Sequence, residues 1–331
     1  MKRKLATQQQ LLKISSVSVN YGSGKTQGPL ALDNVSLDVP MGGYTIGLVG
    51  ESGSGKTTLG MSLLNIIEPP GHITSGSVEY AGSNVLAMSK QELRKYRWRE
   101  VSMVYQSAMN SLNPVKRISD PIMEVLIQHL RISKSEAYRR AVGLLSDVGI
   151  KENRVDDYPH ELSGGMRQRV VIALALALSP KMLIADEPTS ALDVVVQKQI
   201  ISLLKSQVKQ RNLSLLFITH EIALLSGLVD HVAVMYQGEV VEIGPHDKVL
   251  FQPLHPYTET LLSTLLTMES SAENLSSSSS RSSQKRGLQL GLENACKYAS
   301  RCKYAFERCK NERPKLLEVE KGRWVSCHKF N

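Results

Sequence analysis

The 331-residue chain carries 40 Lys and Arg against 31 Asp and Glu, a formal charge of +9, with 42% hydrophobic and 21% charged residues. That balance excludes wholesale disorder, and the length exceeds the roughly 250–300 residues at which one core stops growing, so a main domain plus an addition is expected. The best apolar stretch, Val170 to Pro180, lies between Arg169 and Lys181 and is too short for a membrane span of about 20 residues, and Met1-Lys-Arg-Lys runs into glutamines rather than an apolar signal, so a cytosolic protein is expected.

Val17, Val19 and Tyr21 alternate as a half-buried strand does, and so do Val35, Leu37 and Val39. Thr45 to Val49 is an apolar run suited to a buried strand, leading through a glycine-rich loop to a helical stretch at 58–67. Ser133-Lys-Ser-Glu136 has the form of a capping box ahead of Ala137, Ala141, Leu144, Leu145 and Val148 on one helical face, with Gly149 ending the helix. Residues 170–178 are apolar on all sides, as in a buried helix. Residues 181–186 and 213–219 read as core strands, and 232–236 with 239–243 as a hairpin. Strands alternating with helices predict an α/β fold with a largely parallel sheet. Between Ser270 and Ser283 nine of fourteen residues are serine, the composition of a flexible linker. Residues 281–331 hold 13 Lys and Arg against 5 Asp and Glu, so the excess charge belongs to the tail, as do all four cysteines.

Gly50-Glu51-Ser52-Gly53-Ser54-Gly55-Lys56-Thr57 fits the phosphate-loop pattern G-x-x-x-x-G-K-[ST], with a strand before and a helix from Thr58 after. Its glycines let successive N–H groups turn around phosphate oxygens, and the helix aims its positive end at the same charge. Lys56 would reach the β- and γ-phosphates, and the Thr57 hydroxyl would ligate Mg²⁺. Gly22-Ser-Gly-Lys-Thr26 repeats the last five residues, but it lacks the earlier glycine and is followed by Gly28-Pro29, so it is rejected. Asp186 and Glu187 end an apolar strand, where open α/β sheets bind ligands. Asp186 suits Mg²⁺, and Glu187 suits a general base on an attacking water. Ser163-Gly164-Gly165 precedes an apolar helix and forms a second anion site, which suggests head-to-tail dimers sharing nucleotides.

These stretches resemble the Walker A, Walker B and signature sequences of the ATP-binding-cassette (ABC) ATPases, over roughly residues 12–268. The resemblance implies a P-loop α/β core with an antiparallel β-subdomain and a helical signature subdomain at about 107–180. It also implies ATP with Mg²⁺. Tyr21 would stack on adenine, and residues 50–58 would hold the phosphates. Gln106 would be the Q-loop glutamine near Mg²⁺, and Ser163, Gly164, Gly165 and Gln168 would contact nucleotide on a second subunit. Ser190 to Asp193 would form the D-loop, and His220 would be the switch histidine beside catalytic Glu187 and Lys56.

Residues 104–114 and His255-Pro-Tyr-Thr258 resemble the oligopeptide/dipeptide/nickel branch of ABC importers. That branch implies a partner ATPase (usually a different chain), two membrane permease subunits and an extracytoplasmic solute-binding protein, with the ATPase at the cytoplasmic face and no nucleic acid. The alternative is a soluble ABC-type ATPase acting on nucleic acid or ribosome through its basic tail. On a subunit docked to a permease the same basic residues would form a solvated face that supports a cluster, or one that meets anionic lipid headgroups.

Beyond a linker at 269–290, residues 291–331 hold Cys296, Cys302, Cys309 and Cys327 in the spacing C-x₅-C-x₆-C-x₁₇-C. Four thiolates suit tetrahedral Zn²⁺ or an iron–sulfur cluster, and so short a segment needs a staple. Lys297, Arg301, Lys303, Arg308 and Lys310 would lower the thiol pKa values. Resemblance to the family's Cys-rich extension favours a 4Fe–4S cluster over zinc, although Lys297, Ser300 and Lys303 stand where the family has prolines.

Overall fold

The computed structural model describes residues 10–22, 28, 30–106, 108–271 and 294–330. Most of the rejected loop at 22–26 and of the serine-rich stretch lies outside them. Strand β1 (Gln10–Asn20) pairs antiparallel with β2 (Leu30–Pro40), where Val35, Leu37 and Val39 point inward and Ser36 and Asp38 outward. After β3 (Thr45–Val49) and helix α1 (Lys56–Leu63), β4 (His72–Tyr80) pairs with the other edge of β1, and β5 (Ser83–Asn84) completes a sheet of order β2-β1-β4-β5.

Next come α2 (Lys90–Arg99), β6 (Val101–Val104), α3 (Ser119–Leu130), α4 (Lys134–Asp147), α5 (Gly164–Ala175) and β7 (Met182–Asp186). Then follow α6 (Val194–Arg211), β8 (Ser214–Ile218), β9 (His231–Tyr236), β10 (Glu239–Pro245), α7 (His246–Phe251) and α8 (Pro256–Ser271). Strands β9, β3, β8, β7 and β6 lie side by side and parallel. Every residue of β3, β7 and β8 is buried, because this sheet is covered on both faces. Leu183, Ala185, Leu215 and Phe217 point to the core under α3 to α6. Their neighbours Met182, Ile184, Leu216 and Ile218 join Ile46, Leu48 and Leu59 beneath the antiparallel sheet.

Several elements differ from their sequence expectation. Helix α1 stops at Leu63 because Asn65 turns left-handed (φ +50°). Ser133 caps α4 through the Glu136 N–H, but the Glu136 carboxylate pairs with Arg139 and Arg140, so the reciprocal half of the box is absent. The two signature glycines do not precede the apolar helix. They are the first turn of α5, capped by Ser163 accepting from the Met166 N–H at 3.3 Å.

Residues 294–330 contain α9 (Glu307–Asn311), β11 (Leu317–Glu320) and β12 (Arg323–Val325). Strand β12 pairs antiparallel with β10, so the main sheet reads β11-β12-β10-β9-β3-β8-β7-β6. The sequence assigned the staple of this segment to its cysteines. The structure shows strand addition and a buried Arg323–Glu242 pair at 3.1 Å fastening it to the core.

Candidate active site

The loop between β3 and α1 is shaped by glycines that no other residue can replace. Gly50 and Gly55 have φ of +154° and +101°, and a Cβ there would lie 2.2 Å from the Met235 carbonyl oxygen and 2.4 Å from that of Ala31. Ser52 and Gly53 are exposed at the crest, while Ser54 is buried and its carbonyl accepts the Gly238 N–H from the β9–β10 turn. Lys56 folds over the loop, donating to the Gly50 and Glu51 carbonyls at 2.8 and 2.9 Å. Burial lowers its pKa, and the nearby carboxylates of Glu187, Asp186 and Glu51 work against that shift. Thr57 and Thr58 form the first turn of α1.

Asp186 at the end of β7 is 1% exposed, and neither carboxylate oxygen has a hydrogen-bond partner in good geometry among the described residues. Burial raises its pKa, with the neighbouring Thr57 hydroxyl opposing. The next residue, Glu187, receives the Gln106 side-chain amide at 2.7 Å and stands 2.8 Å from His220 Nδ1. Three residues expected from separate motifs therefore meet at one carboxylate, and Gln106, expected near Mg²⁺, here donates to Glu187.

The signature turn sits against the segment expected as D-loop. A Cβ on Gly165 would be 2.5 Å from Val196 Cγ1, and one on Gly164 would be 3.4 Å from Leu192. Ser190 Oγ donates to the Glu187 carbonyl and Asp193 caps α6, accepting from the Val196 N–H. Gln168 is 2% exposed, so its side chain belongs to the packing of α5 and is not presented to a second chain. Tyr21, half exposed, lies against Gly71, where a Cβ would be 2.5 Å from its ring.

All four cysteines line one cavity of about 260 Å³, together with His255, Tyr298 and Phe306. Among the described residues no group of three or more His, Cys, Asp or Glu side chains is arranged to hold a metal ion. The expectation of lowered thiol pKa values is corrected: burial pushes Cys296, Cys302 and Cys327 up. The basic neighbours are engaged elsewhere, Lys297 with Asp33 and Glu239, Arg301 with Glu51, Lys303 with Glu259, Arg308 with Glu312 and Lys310 with Glu307. Sequence reasoning missed two contacts to the phosphate loop. Tyr257 Oη accepts the Glu51 N–H at 2.9 Å, and Arg301 grips the Glu51 carboxylate.

Residues 32–190 match the family model described as ABC transporter. The dimeric ATP-binding cassette MJ0796 in a post-hydrolysis state bound to ADP and Pi is similar at a TM-score of 0.63 and 29% identity, over 71% of this chain and 98% of that one. Fold and site define an ABC-class ATPase. Residues 241–309 match the model described as oligopeptide/dipeptide transporter, C-terminal region. The oligopeptide transport ATP-binding protein AppD of Bacillus subtilis is 40% identical over 96% of both chains, and the dipeptide transport ATP-binding protein DppD of Escherichia coli is 40% identical, again over 96% of both. The chain belongs to the ATP-binding subunits of ABC-type oligopeptide/dipeptide transporters. The nucleic-acid alternative finds no support, since these relatives are named for peptide transport. No helix among the described residues is long and apolar enough to cross a membrane.

Proposed function

We propose that this chain binds ATP at residues 50–58 and hydrolyses it to drive uptake of oligopeptides or dipeptides through two membrane permease subunits. The observation that carries the chemistry is the Glu187 carboxylate held between Gln106 and His220 beside Lys56. Glu187 takes the proton of the attacking water, while Gln106 and His220 fix the direction of its oxygens. Lys56 offsets the charge that develops on the γ-phosphoryl group. The buried carboxylate of Asp186, which has no hydrogen bond in good geometry among the described residues and lies beside the Thr57 hydroxyl, fits a hard cation. These two residues would hold Mg²⁺, which when bound neutralises phosphate charge. Tyr21 takes the adenine, and the Ser163-Gly164-Gly165 turn reaches the nucleotide of a second ATPase subunit, a different chain in our reading, with Ser190 and Asp193 at the junction. The cassette spans 12–268, with a helical part at about 107–180, a linker at 269–290 and the extension at 291–331. The assembly sits at the cytoplasmic membrane face and is served by an extracytoplasmic binding protein. The names of the relatives support the cargo class.

The cysteine cavity is proposed to hold a 4Fe–4S cluster. Four thiols on the walls of one cavity, together with the resemblance to the family's Cys-rich extension, support that reading. Anaerobic purification with iron and sulfide analysis tests it: about four of each, lost in Cys302→Ala, is expected, and neither element above background overturns it.

The transport reading is tested by reconstituting the subunits with their permeases and binding protein in vesicles. Labelled oligopeptide should accumulate only with ATP and not with Lys56→Ala. Accumulation undiminished by that substitution overturns the reading.

A further inference from the structure

The cysteine-bearing extension reaches the phosphate loop itself. Arg301, on the 3₁₀ turn Ala299–Arg301, lays its guanidinium along the Glu51 carboxylate, Nη1 donating to Oε2 and Nη2 to Oε1, each at 3.2 Å. The guanidinium carbon also stands 5.9 Å from the ring centres of both Tyr236 and Tyr298. Those rings pack with Tyr257 at centroid distances of 4.6 and 5.5 Å, and Tyr257 receives the Glu51 N–H. The second residue of the loop is therefore held at its backbone by α8 and at its side chain by the extension.

Glu51 places a carboxylate in a loop built to receive an anion. It is close enough to Lys56 for its charge to favour the ammonium form there. Left uncompensated, it repels an incoming polyphosphate, and a parallel two-bond guanidinium cancels it and fixes its direction. We propose that Arg301 is a positioning residue for nucleotide binding: it neutralises and orients Glu51, so that the loop meets the triphosphate without an adverse charge. The proposal rests on the reading of residues 50–57 as the phosphate loop. It makes the extension part of the nucleotide site.

The test uses the full chain and titration with trinitrophenyl-ATP. Arg301→Ala should raise Kd about two- to fivefold at low salt, in keeping with a partly exposed ion pair. Raising salt to about 0.5 M should shrink the difference. The deciding variant is the double one. Adding Glu51→Gln to Arg301→Ala removes the repelling charge without restoring the bridge, so Kd should return to within about a factor of two of wild type. A bridge that mattered only as a fastening would leave the double variant as weak as the single, and that result overturns the proposal, as does an unchanged Kd in Arg301→Ala. Arg301→Gln, which keeps the side-chain stem on the two tyrosine rings, should show the same rise and guards against a local packing defect. Lys56→Ala separates the two levels. Loss of binding there with no effect at Arg301 removes only the positioning role, whereas full binding in Lys56→Ala withdraws the phosphate-loop reading and the proposal together.

Discussion

His220 Nδ1 lies 2.8 Å from Glu187 Oε1, while the other oxygen of the same carboxylate accepts from Gln106 at 2.7 Å. Glu187 has a left-handed backbone, φ +45°, a conformation that costs a non-glycine residue on the order of 1 kcal/mol. The surrounding bonds over-determine it. Its N–H donates to the Ile218 carbonyl, and its own carbonyl accepts both the Ser190 N–H and the Ser190 hydroxyl. Strand ends and turn thus aim the carboxylate before any substrate arrives. Glu187→Gln keeps the shape and the acceptor for Gln106 but removes the base. Turnover is expected to fall by about 10²–10⁴, with ATP affinity retained. Phosphate release at a substantial fraction of the wild-type rate, in protein free of contaminating ATPase, removes the assignment.

Asp186 shows what the proposed cation position demands of the fold. Its folded pKa is raised by burial, so between the ordinary carboxylate value and the raised one the folded chain binds more protons than the unfolded chain. Stability of the nucleotide-free protein therefore falls as pH rises through that window. Asp186→Asn removes this slope and should raise the melting temperature near neutral pH by a few degrees, roughly 1 kcal/mol. The same variant should lose the stabilisation that Mg²⁺ with ATP gives the wild type. Melting curves over about pH 4 to 7, with and without Mg²⁺ and ATP, decide it. A nucleotide-free variant that melts lower than wild type at neutral pH contradicts the account.

Two helical glycines should respond in opposite directions to the same substitution. A Cβ on Gly165 would meet Val196 Cγ1 at 2.5 Å, and a valine within a helix has almost no other rotamer to adopt. Gly165→Ala must therefore part α5 from α6, at about 1–3 kcal/mol, and carry the signature turn away from Leu192. Gly143 in α4 has nothing within 4 Å of its added methyl, so Gly143→Ala should stabilise by about 0.5–1 kcal/mol. Denaturant unfolding of the pair checks both. Equal effects of the two substitutions rule out close approach as the reason for Gly165.

The phosphate loop, the paired carboxylates and the Ser163 cap were legible because each is written in a few consecutive residues. Helix α6 was not read. It opens on Val194, Val195 and Val196, a run that favours strand, and it is made helical by the Asp193 cap and the buried stripe of Ile200 and Leu204. Helix α2 carries a mark that is legible in sequence, the Ser89–Glu92 capping box. The docking of the tail was beyond local reading. The Tyr257 bond to the Glu51 N–H spans 206 residues and the Arg301 pair 250, and an ion pair leaves no periodicity in either partner's neighbourhood. The same long-range partners explain the misread basic residues. Lys297 was assigned to the thiols because Cys296 is adjacent in sequence, but it lies on Asp33 and Glu239 of the core.

Arg323 ties the extension to the core from a buried position. It is 2% exposed and its partner Glu242 is fully buried; Nη2 donates to Glu242 at 3.1 Å and to the backbone carbonyls of Lys248 and Gln252. Glu242 also accepts the Leu254 and His255 N–H groups, each at 3.0 Å, so it cannot withdraw when its cation is lost. Arg323→Leu leaves that charge buried with only two backbone donors, a loss of about 3–5 kcal/mol. The chain can relieve it by peeling β12 from β10 and letting water reach Glu242. Limited proteolysis should therefore release the segment beyond residue 294 from Arg323→Leu and not from wild type. Detachment also takes Arg301 off Glu51, so ATP affinity should fall by the same factor as in Arg301→Ala, and adding Arg301→Ala to Arg323→Leu should weaken it no further. An extension that stays protease-resistant in Arg323→Leu would show that the sheet pairing and the Lys297 and Arg301 ion pairs suffice to hold it.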